Sequence, residues 1–572
     1  MALRLRATNY SSLATGMKLA LEGNPASDGC VRWVRNIVGI WYIEVSPSAT
    51  AELGPDFMLF RFSVEVQNGM SMPTDIHWHA MLPPNGQDGV GYITERPIKP
   101  HETREYNFEQ AATGGLYWVH AHFEFQDAQG LAAPLIMKST PAQLRALGNP
   151  IDVLMEVEDR FPYNYCAYSP FLYPEHCVSV PQHKHRTMVH FLNRAVAPVV
   201  VSVKPGDAVR LRVVNIGSEA PWVIDVSLLG HAEVLALDGN DLVRNGLLVM
   251  NKTITTGQRV DLLVKIPAGS PPSCYPIRAV SLSHRSVLTE PPLRGVMLST
   301  GGQCPGLQPF WNGSLAPPVA WQHDDKSKAK HPIARRPVDV SYTLKFGGDQ
   351  YGGFWMRCPA GLTDAQCGQH KWGLPPYAVF MHNVTRQIVH SRRPCEGCET
   401  NRYFNDSGLI DTPAGLRCWE WSETAEAECP SFKPYRVVNE KRLYATQQQH
   451  EPLYVCKGQR VEVELVNAYG IESNEGHPIH LHGHTFEVRR VEHLEADGTW
   501  RVVTANMSAP HDTVHVPWGY KVVIHFDANN PGTWLLHCHN TFHIENGMLT
   551  MVVYREDWHP HCRQTPKWTG NV

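Results

Sequence analysis

At 572 residues the chain is longer than one hydrophobic core normally organises, so about two to four domains are expected. A formal charge of -4 gives no basic field for nucleic acid or an acidic membrane surface, and no apolar run reaches the length of a transmembrane helix. The hydrophobic share of 43%, with 44 prolines and 44 glycines, suits well-packed interiors made of many short strands joined by turns, an all-β chain.

Along the chain, Met1 to Thr8 carries no long apolar stretch, so no signal peptide is visible, and residues 1–57 read as a divergent or incomplete amino-terminal segment. Alternation becomes clear at Phe60–Val66, shortly before His77-Trp78-His79. His120-Ala121-His122 follows Tyr117-Trp118-Val119, and a first domain, 58–145, closes after Pro134–Met137. A second, 146–310, begins around Asp152–Met155 and includes Pro205-Gly206-Asp207, a turn leading into the alternating run Ala208–Asn215. The stretch from about 301 to 332, rich in Pro, Gly and Lys, reads as a linker into a third domain within 311–572. There, residues 358–429 hold six cysteines and little periodicity, which suggests a disulfide-stapled insertion. Cys395 and Cys398 have no second pair at zinc-site spacing, so disulfide use is favoured for them too. Strands resume at Val461–Val466 and from Val514 to Phe526.

Chemistry concentrates in four histidine clusters. Besides His77/His79 and His120/His122, the third domain carries His477-Pro478-Ile479-His480-Leu481-His482-Gly483-His484 and His537-Cys538-His539-Asn540-Thr541-Phe542-His543, with Met548 five residues further on. One His-x-His among 30 histidines is unremarkable, and His183-Lys184-His185 reads as a polar loop. Several pairs beside apolar runs are different, because an unpaired imidazole in a buried strand is costly and metal ligation removes the cost. Successive side chains on a strand point to opposite faces, so His537 and His539 share one face while Cys538 leaves the other. That cysteine can bind one metal and its neighbours others. Thiolate, imidazole and a weak axial thioether are the ligand set of a blue-copper centre, and Cys538, His543 and Met548 supply most of it.

As a set, these motifs resemble those of the multicopper oxidases of the laccase type, over residues 58–556. The resemblance implies three cupredoxin-like β-sandwich or barrel domains, with the middle one free of copper. It implies four copper ions: a type 1 ion on His477, Cys538 and His543 with Met548 axial, a type 2 ion on His77 and His480, and a type 3 pair on His79, His120, His122, His482, His537 and His539. It further implies one-electron oxidation of a phenolic or aromatic amine reductant, entering at His477 or His543, coupled to four-electron reduction of dioxygen to water. A ferrous or cuprous metallo-oxidase and a non-catalytic copper-binding protein are the alternatives. The 16 methionines are scattered rather than gathered, which disfavours cuprous ion.

Asp88 stands where similar enzymes carry an acid near the type 2 ion, although an aspartate before glycine is also a common turn residue. Glu545 is a weaker candidate, since some relatives place an acid where Thr541 stands. Glu475, two residues before His477, either binds the reductant or is a solvated loop charge. A thioether at 548 should hold the reduction potential below that of relatives with Phe or Leu there.

Fourteen cysteines and six Asn-x-Ser/Thr sequons, at Asn9, Asn251, Asn312, Asn383, Asn405 and Asn506, suit a secreted, glycosylated monomer in an oxidising compartment. With Cys538 reserved for copper, thirteen cysteines remain. Laccase relatives often have Gln-Cys-Pro-Ile where this chain has Glu95-Arg96-Pro97-Ile98, so Cys562 or Cys30 is expected to lack a partner. Residues before the first histidine pair also lack the strand and the Gly-x-Phe-Pro-Gly-Pro segment of that family.

Overall fold

The computed structural model describes residues 3–555 and Cys562, apart from 161–188, 194–198, 283–292, 305–327, 357–451, 469–475 and shorter stretches of at most five residues. The linker is therefore described only in part, and the cysteine-rich insertion and Glu475 lie outside the described residues. Among those described, strands form six sheets, two to a sandwich. Each sandwich repeats two parallel pairings. In its first sheet, Leu3–Ala7 lies on Val64–Asn68, Ile151–Val157 on Val209–Asn215, and Val340–Phe346 on Val461–Asn467. In its second sheet, Ile43–Val45 lies on Leu135–Met137, Val199–Ser202 on Val296–Ser299, and Leu453–Val455 on Val552–Tyr554. The three sandwiches thus share one topology, the cupredoxin-like fold expected.

The described residues among 3–57 belong to the first sandwich, so strands do precede the first histidine pair, contrary to the expectation that one is lacking there. They supply five of its strands, Leu3–Ser12, Gly16–Gly23, Val31–Arg35, Trp41–Val45 and Pro47–Glu52. In the first of these Leu3, Leu5 and Ala7 are buried while Arg4 faces out and pairs with Glu65 of the neighbouring strand. Period-two burial is present, but arginine rather than a neutral polar residue fills the alternate places.

Strands that carry the histidines differ from ordinary antiparallel strands, which leave one face wet. Gly115–His120, His477–Leu481 and Thr533–Cys538 are buried at every position, because one face lines a sandwich and the other meets a neighbouring sandwich. Val90 and Ile93 of the first pack with Leu535, Leu549, Met551 and Val553 of the third. Asn85 reinforces that seam: its side-chain amide donates to Thr533 O at 2.7 Å and its oxygen accepts from Thr533 N at 3.2 Å. Leu116 and Trp118 join the core of the middle sandwich. The histidine strands are therefore placed where three sandwiches meet.

Cys274 is bonded to Cys304 and Cys456 to Cys562, so of the two cysteines named for the missing bridge Cys562 is paired and Cys30 is free and exposed. Cys538 is the other free cysteine among the described residues, and it is buried.

Candidate metal centre

Strand alternation separates two groups of ligands at Cys538. Its Sγ lies 3.4 Å from His543 Nδ1 and 3.8 Å from His477 Nδ1, which are themselves 3.0 Å apart. The ring of His537 instead lies 5.4 Å from that of His539, centroid to centroid. Backbone bonds fix the first group: Cys538 N donates to Met548 O at 3.0 Å and Met548 N to His543 O at 2.9 Å, which folds the short helix Thr541–Glu545 back over the strand end. Met548 is fully buried in the same core cluster as Cys538. Burial pushes the Cys538 thiol well up and the His477 imidazole well down. A metal ion is what would hold the thiolate there.

The second group gathers eight imidazoles. His122 Nε2 and His482 Nε2 lie 3.4 and 2.9 Å from His537 Nε2, and His79 Nδ1 lies 3.2 Å from His539 Nε2. His120 adds its ring 5.1 Å from that of His539, while the rings of His77 and His480 are 5.9 Å apart. Nitrogen pairs at such separations suit a shared ion with metal–nitrogen bonds of about 2.0–2.1 Å.

Outer hydrogen bonds decide which nitrogen faces inward. His77 Nδ1 donates to Asp88 O at 3.0 Å, His120 Nδ1 to Ala121 O at 2.9 Å, and His480 Nδ1 to Asp512 O at 2.8 Å. Each then presents an unprotonated Nε2, and all three of these atoms are buried without a hydrogen-bond partner. Orphaned buried acceptors cost about 1–3 kcal/mol each, so three within one imidazole cluster fit a bound cation. His482 Nδ1 donates to Asp88 Oδ2 at 3.0 Å and His537 Nδ1 to Cys538 O at 2.9 Å. His79 is reversed, with Nε2 on Asp512 Oδ1 at 3.0 Å and Nδ1 turned inward. Burial, followed by the neighbouring rings, lowers the His79, His120, His482, His537 and His539 pKa values well below the usual histidine range and that of His122 to about 3. Neutral imidazole is the metal-binding form. The residues present fit copper.

Asp88 is no mere turn residue, because its side chain reaches past its own turn to His482. Glu545 closes the helix after His543, and its side chain lies outside the described residues. His484 turns away from the cluster, its Nε2 2.6 Å from the Tyr554 hydroxyl. Three acids went unnoticed in the sequence. Asp512 fixes His79 and His480; Asp75 accepts from His122 N at 2.6 Å and Gly91 N at 2.8 Å; Asp127 accepts from Thr541 Oγ1 at 2.8 Å. Burial raises Asp75 and Asp127 to about 7. The one local signal was His511-Asp512-Thr513, a polar run set between apolar strands.

Three sandwiches of one topology carry a sulfur–imidazole site beside a cluster of eight imidazoles, a donor set that fits copper. Family models each described as multicopper oxidase match residues 60–142, 142–300 and 424–557. The chain belongs to the multicopper oxidase family, whose members use copper cofactors to oxidise small-molecule reductants with dioxygen. It is 24% identical to Laccase-2 of Trametes versicolor, over 97% of this chain and 92% of that protein, and 24% identical to Laccase-1 of Agaricus bisporus, over 86% and 82%. Among solved structures it resembles Fet3p, described as a multicopper oxidase that functions in iron import, with a TM-score of 0.60 at 17% identity over 99% of this chain and 92% of that one. The laccase from Botrytis aclada gives a TM-score of 0.55 at 17% identity over 96% and 87%.

Proposed function

We propose that this chain is a laccase-like oxidase of phenols and aromatic amines, with four copper ions in two centres. His477, Cys538, His543 and Met548 would hold one ion, His77 and His480 a second, and His79, His120 and His539 with His122, His482 and His537 the remaining two. One observation carries this assignment: Cys538 Sγ meets His477 and His543, while the rings on either side of it enter the eight-imidazole cluster. When bound, the copper ions supply one-electron acceptance from the reductant and four-electron reduction of dioxygen to water. The chain contributes the rest. Peptide bonds from Cys538 to His537 and His539 join the two centres covalently, and His477 and His543 present the edge at which a reductant docks. Asp88 Oδ1, buried and without a hydrogen-bond partner, is the atom placed to hold a proton beside His77 and His482.

Asp88→Asn is expected to slow oxygen consumption by about 10–100-fold, the usual effect of losing an outer partner of metal-bound histidine, with blue absorption retained. Stopped-flow reoxidation of the reduced protein checks it, and parent-like reoxidation would remove Asp88 from the mechanism. Met548→Leu is expected to raise the potential of the blue centre in a redox titration, since it deletes a donor; a fall would remove Met548 from the proposed ligand set.

Similarity to Fet3p supports a second reading, oxidation of ferrous ion at the same mononuclear edge. Oxygen uptake with a simple phenol, with ferrous ion and with cuprous ion on one copper-loaded sample separates the two, and copper uptake with no oxygen consumption would favour a binding protein instead. An extracytoplasmic, monomeric protein belongs to the same proposal, and the Cys274–Cys304 and Cys456–Cys562 bridges support an oxidising compartment.

A further inference from the structure

The middle sandwich brings none of the eight clustered imidazoles, yet its turn between strands Asn251–Ile254 and Arg259–Lys265 sits directly on them. Gly257, at φ +86°, lies so close that a Cβ there would stand 3.1 Å from both His79 Cε1 and His539 Cδ2 and 3.3 Å from Thr513 Oγ1. A side chain is disfavoured twice over, by the left-handed backbone and by two rings, from opposite ends of the chain, that would have to give way. Gln258 Nε2 donates to Thr513 O at 3.1 Å. Arg259 then makes a bidentate pair with Asp512, Nη1 to Oδ1 at 2.9 Å and Nη2 to Oδ2 at 2.6 Å. Its Nε donates to Leu116 O at 3.2 Å, on the strand that carries His120, and its Nη1 also donates to Gly257 O at 2.7 Å.

One arginine of the middle sandwich therefore touches the other two. Asp512 passes the constraint on, because it accepts from His79 Nε2 through Oδ1 and from His480 Nδ1 through its backbone carbonyl. Behind Arg259, Asp238 of the same sandwich accepts from Arg259 N at 3.0 Å and from His511 Nδ1 at 3.0 Å. Arg259 and Asp512 are each almost wholly buried, so neither charge has solvent as an alternative partner.

We propose that Gly257 and Arg259 are positioning residues of the three-metal centre: the middle sandwich, without giving a ligand, is a wall of that centre and sets the inward nitrogens of His79, His480 and His539. Copper retention there then depends on a domain that binds no copper. This inference rests on the copper-site assignment above. A purely packing role for the turn would alter overall stability but would leave the bound metal's signature alone.

The test uses the full chain, stripped of metal and reloaded with copper, as parent, Arg259→Gln, Arg259→Lys and Gly257→Ala. Copper per chain, blue absorption per chain and the paramagnetic resonance signal of the non-blue copper are measured on each. Arg259→Gln is expected to keep the blue absorption and to hold copper at the three-metal centre about 10–100-fold more weakly, with that signal lost or altered. Arg259→Lys is expected to recover part of the signal, because it restores charge without the planar fork. Gly257→Ala is expected to shift the signal's hyperfine pattern. Parent-like copper content and signal in Arg259→Gln overturn the inference; if that variant does not fold, as judged by absent blue absorption, a parent-like signal in Gly257→Ala overturns it. Failure of the parent to take up copper would sink the copper-site assignment instead, and the two failures are thereby told apart.

Discussion

Cys538→Ser is expected to abolish blue absorption and to cut oxygen consumption by more than about 100-fold with every reductant, beyond the range for loss of an outer partner. The reason is placement. Cys538 Sγ is the sulfur beside His477 and His543, and the carbonyl of the same residue accepts from His537 Nδ1. Serine keeps the strand and nearly the volume, so the eight-imidazole cluster is expected to retain its metal and its paramagnetic signal while the mononuclear centre goes dark. Metal analysis beside absorption spectroscopy checks this. Substantial turnover in Cys538→Ser would show that electrons reach dioxygen by a route that bypasses this sulfur, and the proposed function would fall with it.

Asp512→Ala is expected to have the largest effect on stability. Arg259 and Asp512 are paired in the interior at 2.6 Å, and removing one member of such a pair typically costs about 3–5 kcal/mol because the other charge stays buried. Burial alone would raise the Asp512 carboxyl, but the charge of Arg259 and hydrogen bonds from Arg259 and His480 hold it well below the usual carboxylate range. The sign of the pH dependence follows. A depressed carboxyl contributes stability that is fully present above its unfolded pKa, about 3.9, and is lost as pH falls from there toward the folded value. Denaturant unfolding of the metal-free chain should show this acid limb in the parent and a weaker one in Asp512→Ala. Equal stability and equal acid sensitivity in the two chains would remove the pair from the account.

Much of this was legible in the sequence, for identifiable reasons. Strand alternation depends on neighbours two residues apart, so Phe60–Val66 and Val461–Val466 announce themselves. Metal-binding motifs are equally local: His537, Cys538 and His539 declare two faces of one strand. Leu3–Ser12 escaped notice because arginines occupy its outward places and its partner, Met58–Asn68, lies across several intervening strands. Asp512 and Arg259 escaped for a stronger reason. Their pairing across 253 positions exists only once the sandwiches dock, so the polar run at His511-Asp512-Thr513 names no partner. Asp88 was visible as a candidate, but only the fold separates an acid reaching His482 from a turn residue capping itself.

Histidines from residues 77–122 converge with histidines from 480–539, and the strand Leu549–Tyr554 that pairs with Thr533–Cys538 is formed almost at the carboxy terminus. A cut anywhere between residues 122 and 480 therefore leaves four of the eight imidazoles on each piece, so neither piece alone carries the cluster.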